Sequence, residues 1–177
     1  MTVRVGFLRA VNLGKRKVEM PRLKKVVEDL GYANVWTYIN SGNVVFDATG
    51  SRADLEKALE KALEDEFGFE CTTFVRTGAE LKKTLAAKPF DVAPGDTHFV
   101  TFLKKAPGAG AAKELEALSN DYDTLVVQGA DVHWRMHGSS IDTRIPGAKW
   151  NKILGPLSTT SRNVNALTKL SAKISGS

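Results

Sequence analysis

The sequence predicts an α+β protein made of two βαββαβ halves. Three observations predict it: short runs rich in Val, Ile, Phe and Leu, amphipathic stretches of helical period between them, and a recurrence of the same order after residue 96. The first half reads cleanly. V-R-V-G-F-L-R-A-V, residues 3–11, is a mostly buried strand. After a basic loop, Met20-Pro21 starts a helix with Leu23, Val26, Val27 and Leu30 on one stripe and Gly31 as its stop. N-V-W-T-Y-I at 34–39 and N-V-V-F at 43–46 are strands joined by a turn around Asn40-Ser41-Gly42-Asn43, where Gly and Asn tolerate positive backbone angles. Ser51 caps a second helix whose core face is Leu55, Ala58, Leu59, Ala62 and Leu63, with Gly68 after its end. F-E-C-T-T-F-V, residues 69–75, supplies the fourth strand. This is the ferredoxin-like order.

The second half is a looser copy. Thr77 with Glu80 forms a capping box for a bridging helix that runs to Ala87. T-H-F-V-T-F-L at 97–103, a helix near 111–118, T-L-V-V-Q at 124–128, the turn Gly129-Ala130 and V-H-W-R-M at 132–136 then repeat βαββ. Helices follow at 147–154 and 163–174, the last with Val164, Leu167, Leu170 and Ile174 as its stripe. No eighth strand stands out in the pattern, so the second ferredoxin-like half is expected to be incomplete and packed with C-terminal helices. The expected division is 1–76 for the first half, 77–96 for a helical connector and 97–177 for the second.

Composition narrows the function. Hydrophobic residues at 42% and charged residues at 25% fit an ordinary globular protein. No apolar run approaches the length of a membrane span, and the N-terminus enters a strand pattern with no signal-peptide core, so a cytoplasmic protein without a membrane partner is expected. A single cysteine, Cys71, excludes an internal disulfide and a multi-cysteine metal cage. The net charge of +5 is unevenly spread: +7 over residues 1–25, +5 over 138–177 and −7 between them. Two cationic chain ends on an acidic body direct attention to anionic partners.

Topology places the charge. In a βαββαβ sheet the first two strands are parallel with the third between them, so the loop after the first strand and the 40–43 turn share one edge, about 10 Å apart. Arg9, Asn12, Lys15, Arg16 and Lys17 are therefore expected to face Asn40, Ser41 and Asn43. Cations beside small hydrogen-bonding side chains suit an oxyanion. In T-S-R-N, residues 160–163, Thr160 and Asn163 are N-cap residues and Arg162 sits where a helix is expected to begin, a second anion-type arrangement, with Lys169 two turns further on.

Other chemistry is weaker. His133 and His137 lie four apart on a strand, on the face opposite Trp134, and are expected in solvent rather than as a metal pair. P-G-A-G-A-A-K at 107–113 lacks the ending of a phosphate loop and reads as a helix entry. Glu56, Glu60, Glu64, Asp65 and Glu66 read as a solvated face. No cofactor is implied. The third strand, G-N-V-V-F-D, lacks the aromatic pattern of an RNA-recognition sheet, which leaves only backbone contacts for nucleic acid.

L-R-A-V-N-L-G-K-R-K-V-E-M, then S-G-N within T-Y-I-N-S-G-N-V-V-F, then T-S-R-N-V-N-A-L-T-K-L together resemble the motifs of the "domain of unknown function 1697" family of bacterial proteins. The resemblance covers nearly the whole chain and implies two ferredoxin-like halves. It carries over Arg9, Asn12, Gly14, Met20, Ser41, Gly42, Asn43, Thr160, Arg162, Asn163, Lys169 and Leu170, and departs at Ala10, Lys15, Val164 and Ala166. It implies no activity.

The leading expectation is a site for an anionic, phosphate-bearing small molecule or nucleic acid, with Arg9, Lys17 and Arg162 pairing with the anion, Asn12, Ser41, Gly42 and Asn43 orienting it, and Thr160, Asn163 and Lys169 completing it. Two alternatives stand beside it. One is an enzyme acting on a phosphorylated metabolite or nucleotide, with Lys169 as acid or electrostatic stabiliser and Ser41 as nucleophile, though no base is visible beside Ser41. The other is a structural homodimer using exposed strand edges.

Overall fold

The computed structural model describes residues 1–39 and 41–176. Two compact units divide the chain: Met1–Lys82 with Leu170–Ser177, and Lys83–Lys169.

The first unit contains β1 (Thr2–Leu8), α1 (Met20–Asp29), β2 (Ala33–Thr37), β3 (Asn43–Ala48), α2 (Arg52–Phe67), β4 (Thr73–Thr77) and the start of α3 (Gly78–Ala87). Its antiparallel sheet has the order β2-β3-β1-β4, as the ferredoxin-like expectation requires. Pro21 occupies an early helical position, the Ser51 hydroxyl accepts from the Asp54 amide, and Gly68 ends α2 in a left-handed conformation. The Thr77–Glu80 capping box forms in both directions, at 2.8 and 3.0 Å. Leu23, Val26 and Val27 of α1 and Leu55, Leu59 and Leu63 of α2 bury one sheet face, carried by Leu8, Val44, Phe46 and Val75.

The second unit contains β5 (Thr97–Leu103), α4 (Ala109–Glu116), β6 (Asp123–Gln128), β7 (Asp131–Met136), α5 (Gly147–Leu154) and β8 (Thr159–Asn163), followed by α6 (Val164–Gly176), which runs into the residues of the first unit. Its sheet order, β6-β7-β5-β8, reproduces the first. The second half is therefore complete: Thr159–Asn163 is the eighth strand that the sequence pattern hid. That segment contains no aliphatic residue, and its alternation is polar, with Thr160 and Arg162 buried between more exposed neighbours. It is held by backbone pairing to β5, which hydrophobic periodicity does not register. The core of this unit gathers Leu103, Leu115, Leu125, Val132, Trp134, Met136 and Trp150.

One expectation about charge is corrected in part. Glu56 is 4% exposed, and its carboxylate accepts the Val75 amide at 2.9 Å while Glu60 accepts that of Thr73 at 2.9 Å. Glu64, Asp65 and Glu66 are exposed as expected, but Glu56 and Glu60 occupy outward N–H groups of edge strand β4 and so blunt an edge open to further pairing. The other half protects a different edge in the same way, with Glu116 accepting from Val127 and Ser119 from Leu125 on β6.

Candidate functional site

β1 delivers the chain to the edge where the sequence placed a site. The Leu8 amide donates to the Gly42 carbonyl at 2.8 Å, and the Arg9 amide donates to the Thr72 carbonyl at 2.9 Å. The loop after β1 therefore starts between the 38–42 turn and the entrance of β4. Gly42 has φ +85°, and a Cβ there would sit 2.6 Å from Val11 Cγ2 and 2.9 Å from Leu8 Cβ. Only glycine permits this approach.

The loop is tightly built. Ala10, Asn12 and Gly14 all have positive φ, the Asn12 amide donates to the Arg16 carbonyl, and Asn12 Oδ1 accepts the Val18 amide at 2.9 Å. Asn12 thus staples the loop. Arg16 does not face the turn as expected: its Nε donates to the Ala10 carbonyl, its Nη2 to the Glu70 carbonyl, and its guanidinium lies 4.5 Å over Phe69. Lys15 and Lys17 remain exposed. The Arg9 Nε is buried and has no hydrogen-bond partner among the described residues.

The turn is equally specified. The Tyr38 amide donates to the Asn43 carbonyl, and the Asn43 side-chain amide donates to the Tyr38 carbonyl at 2.7 Å and to Ser41 Oγ at 3.1 Å. Asn43 is 2% exposed, so it braces the turn from inside, while Ser41 is exposed. Ile39 has φ +52°, an outlying conformation for a β-branched residue. Asn40 lies outside the described residues. One cation was missed in the sequence: Lys173 of α6, whose Nζ lies 6.0 Å from the Tyr38 ring centroid. Only the charge of the chain end hinted at it.

T-S-R-N takes a different place from the one its sequence suggested. Arg162 belongs to β8, not to a helix start, and is 8% exposed; its Nη1 donates to Thr160 Oγ1 at 2.7 Å and to the Ser161 carbonyl at 3.0 Å. Burial lowers its pKa to about 10, so it remains a cation at neutral pH. Asn163 does cap α6, accepting the Asn165 amide at 2.8 Å. Lys169 is exposed on α6.

The histidines give a further correction. His133 is 1% exposed rather than in solvent, with Nε2 2.8 Å from Gln128 Oε1 and Nδ1 3.1 Å from His98 Nε2, and Phe90 packs edge-on against both rings. Burial and then the neighbouring His133 push His98 down to about 4, and burial lowers His133 as well. His137 is exposed, 3.1 Å from an Asp96 oxygen. Cys71 is buried, and burial pushes its thiol up to about 12, which makes it inert. Among the described residues no three His, Cys, Asp or Glu side chains group as a metal site, and no helix is long and apolar enough to cross a membrane.

The family described as "Protein of unknown function (DUF1697)" matches residues 1–133. The chain belongs to this family. The matched segment holds both the loop after β1 and the S-G-N turn, whereas T-S-R-N lies beyond it. Among solved structures, the conserved bacterial protein SP0830 from Streptococcus pneumoniae is similar over 99% of both chains, with a TM-score of 0.75 and 23% identity, a likeness of fold. No curated protein sequence matches the chain.

Proposed function

We propose that this family member binds an anionic, phosphate-bearing ligand at the edge of the N-terminal sheet where the loop after β1 meets the 38–42 turn. The observation that carries the reading is the junction itself: Gly42 seated on Leu8 and Val11, which sets a cationic loop and the exposed Ser41 on one sheet edge. Arg9, Lys17 and Lys173 supply positive charge, and the Ser41 hydroxyl supplies a hydrogen bond. Asn12, Gly42 and Asn43 act by holding the two loops. The positive φ of Ala10 and Ile39, which their side chains disfavour, supports a site that the surrounding structure over-determines. Thr160, Arg162, Asn163 and Lys169 stand outside this reading, because Arg162 is engaged within β8 and Asn163 in capping α6.

A thermal-shift titration with inorganic pyrophosphate tests it, on wild type, Ser41→Ala and Lys17→Glu. The expected result is a salt-sensitive rise in Tm that is reduced in Ser41→Ala and abolished in Lys17→Glu. No rise in wild type, or equal rises in all three proteins, overturns the site. A parallel arm with a single-stranded oligonucleotide separates the ligand classes: stronger stabilisation there, falling steeply with salt, replaces the small-molecule reading with backbone binding.

A further inference from the structure

Away from the basic edge, β2 is irregular. Its pairing with β3 shifts register between Ala33 and Trp36, and Asn34 inside that step has φ +52°, the signature of a bulge in an edge strand. On the sheet face opposite α1 and α2, the bulge leaves a cleft of about 540 Å³ lined by Val3, Asn34, Val35, Trp36, Val45 and Asp47. The volume lies in the range of small-molecule sites.

The lining has a definite chemistry. Val3, Val45 and the half-buried Trp36 indole give an apolar floor and wall, Val35 being packed in the core shared with α1 and α2, and Asp47 is the sole charged residue in the lining. Asp47 Oδ2 accepts from Asn34 Nδ2 at 2.7 Å, which fixes the carboxylate in place. Among the described residues no Lys or Arg pairs with Asp47 at salt-bridge distance. An anchored carboxylate beside an indole face is complementary to an ammonium group: the acid takes its charge, the ring adds a cation–π contact, and Val3 and Val45 cover an attached apolar body.

We infer that the cleft between Trp36 and Asp47 is a binding site for a small primary amine carrying an apolar body. This site does not depend on the anion site, and its ligand has the opposite charge.

The probe is 2-phenylethylamine, followed by two-dimensional amide and indole NMR on the full chain, with 2-phenylethanol as its neutral counterpart. The Trp36 indole resonance is assigned by its absence from Trp36→Phe. The amine is expected to shift that resonance and the amides of Asn34, Val45 and Asp47 in a saturable way. Both 2-phenylethanol on the wild type and the amine on Asp47→Asn are expected to bind about tenfold more weakly, the scale of one charge-assisted hydrogen bond. Absence of shifts at millimolar amine, or shifts centred on the acidic surface of α2, overturns the proposal. So does equal binding of the alcohol, a result that needs no variant to fold.

Discussion

The two halves share one framework and differ at one edge. V-G-F-L of β1 and V-T-F-L of β5 occupy equivalent places: Val5 and Val100 each lie opposite a buried arginine, Arg76 on β4 and Arg162 on β8. Each arginine turns Nη1 to the carbonyl of the residue before it, at 2.9 and 3.0 Å. Leu8 and Leu103 each donate to the turn between the second and third strands, to Gly42 and Ala130, at 2.8 Å in both cases. Beyond that shared bond they diverge. The second half closes its hairpin with only Gly129 and Ala130 between paired residues, whereas in the first the bonded pair is Tyr38 and Asn43, and Ile39 and Gly42 between them both have positive φ. The same framework closes with two residues in one copy, and the proposed ligand site takes up this difference at the first edge.

The turns give the largest contrast to test. Gly42→Ala combines a left-handed backbone with a Cβ 2.6 Å from Val11 Cγ2 and is expected to cost about 3 kcal/mol. Gly129→Ala has φ +60° but open space around the new Cβ and is expected to cost about 1 kcal/mol. Urea unfolding of both variants measures the difference, and equal costs would mean that Gly42 is an ordinary turn glycine. The edge acids come next. Glu56→Ala leaves the buried Val75 amide unpaired, an expected loss of about 2 kcal/mol, while Glu116→Ala exposes the Val127 amide to water and is expected to lose under about 1 kcal/mol.

Acid should distinguish the halves more gently. His98 and His133 stand where the first half has Val3 and Val45. Both are depressed, so the unfolded chain binds protons that the folded chain refuses; their contribution is fully present above the ordinary histidine value near 6.5 and is lost as pH falls through the folded values, which for His98 is about 4. His98→Gln is expected to flatten stability across that window in a pH series of urea curves. Asp123 acts lower. Burial pushes its carboxyl up, but donors from Thr143, Trp134, the Arg144 amide and Asn120 outweigh this and hold it below the usual carboxylate range. Its contribution is therefore present above the unfolded value near 4 and lost as pH falls through the folded one. Asp123→Asn is expected to remove the added loss of stability in the same series below about pH 4.

What the sequence revealed follows from which signals are local. Helix stripes, the Ser51 cap, the Thr77–Glu80 box and the glycine stops depend on neighbours within a few residues, and each stands where it was expected. β8 escaped because Thr159–Asn163 pairs by backbone and buries polar side chains, so no apolar alternation marks it. Glu56 and Arg16 misled for a related reason: a charged residue in sequence carries no sign of whether its partner is water, the Val75 amide or the Glu70 carbonyl. At the candidate site, topology was enough to bring the loop after β1 to the S-G-N turn. The division of labour there, with Asn12 and Asn43 bracing while Ser41 and Lys17 stay exposed, depends on side-chain hydrogen bonds that spacing does not encode.

The most direct measurement is an NMR titration of the full chain with inorganic pyrophosphate, comparing the two equivalent turns within one molecule. Saturable shifts at Arg9, Lys17, Ser41 and Gly42, with Gly129 and Ala130 unmoved, are the expected result. Shifts at neither turn, or shifts of equal size at both, would contradict the claim that the elaborated edge of the first half is a ligand site.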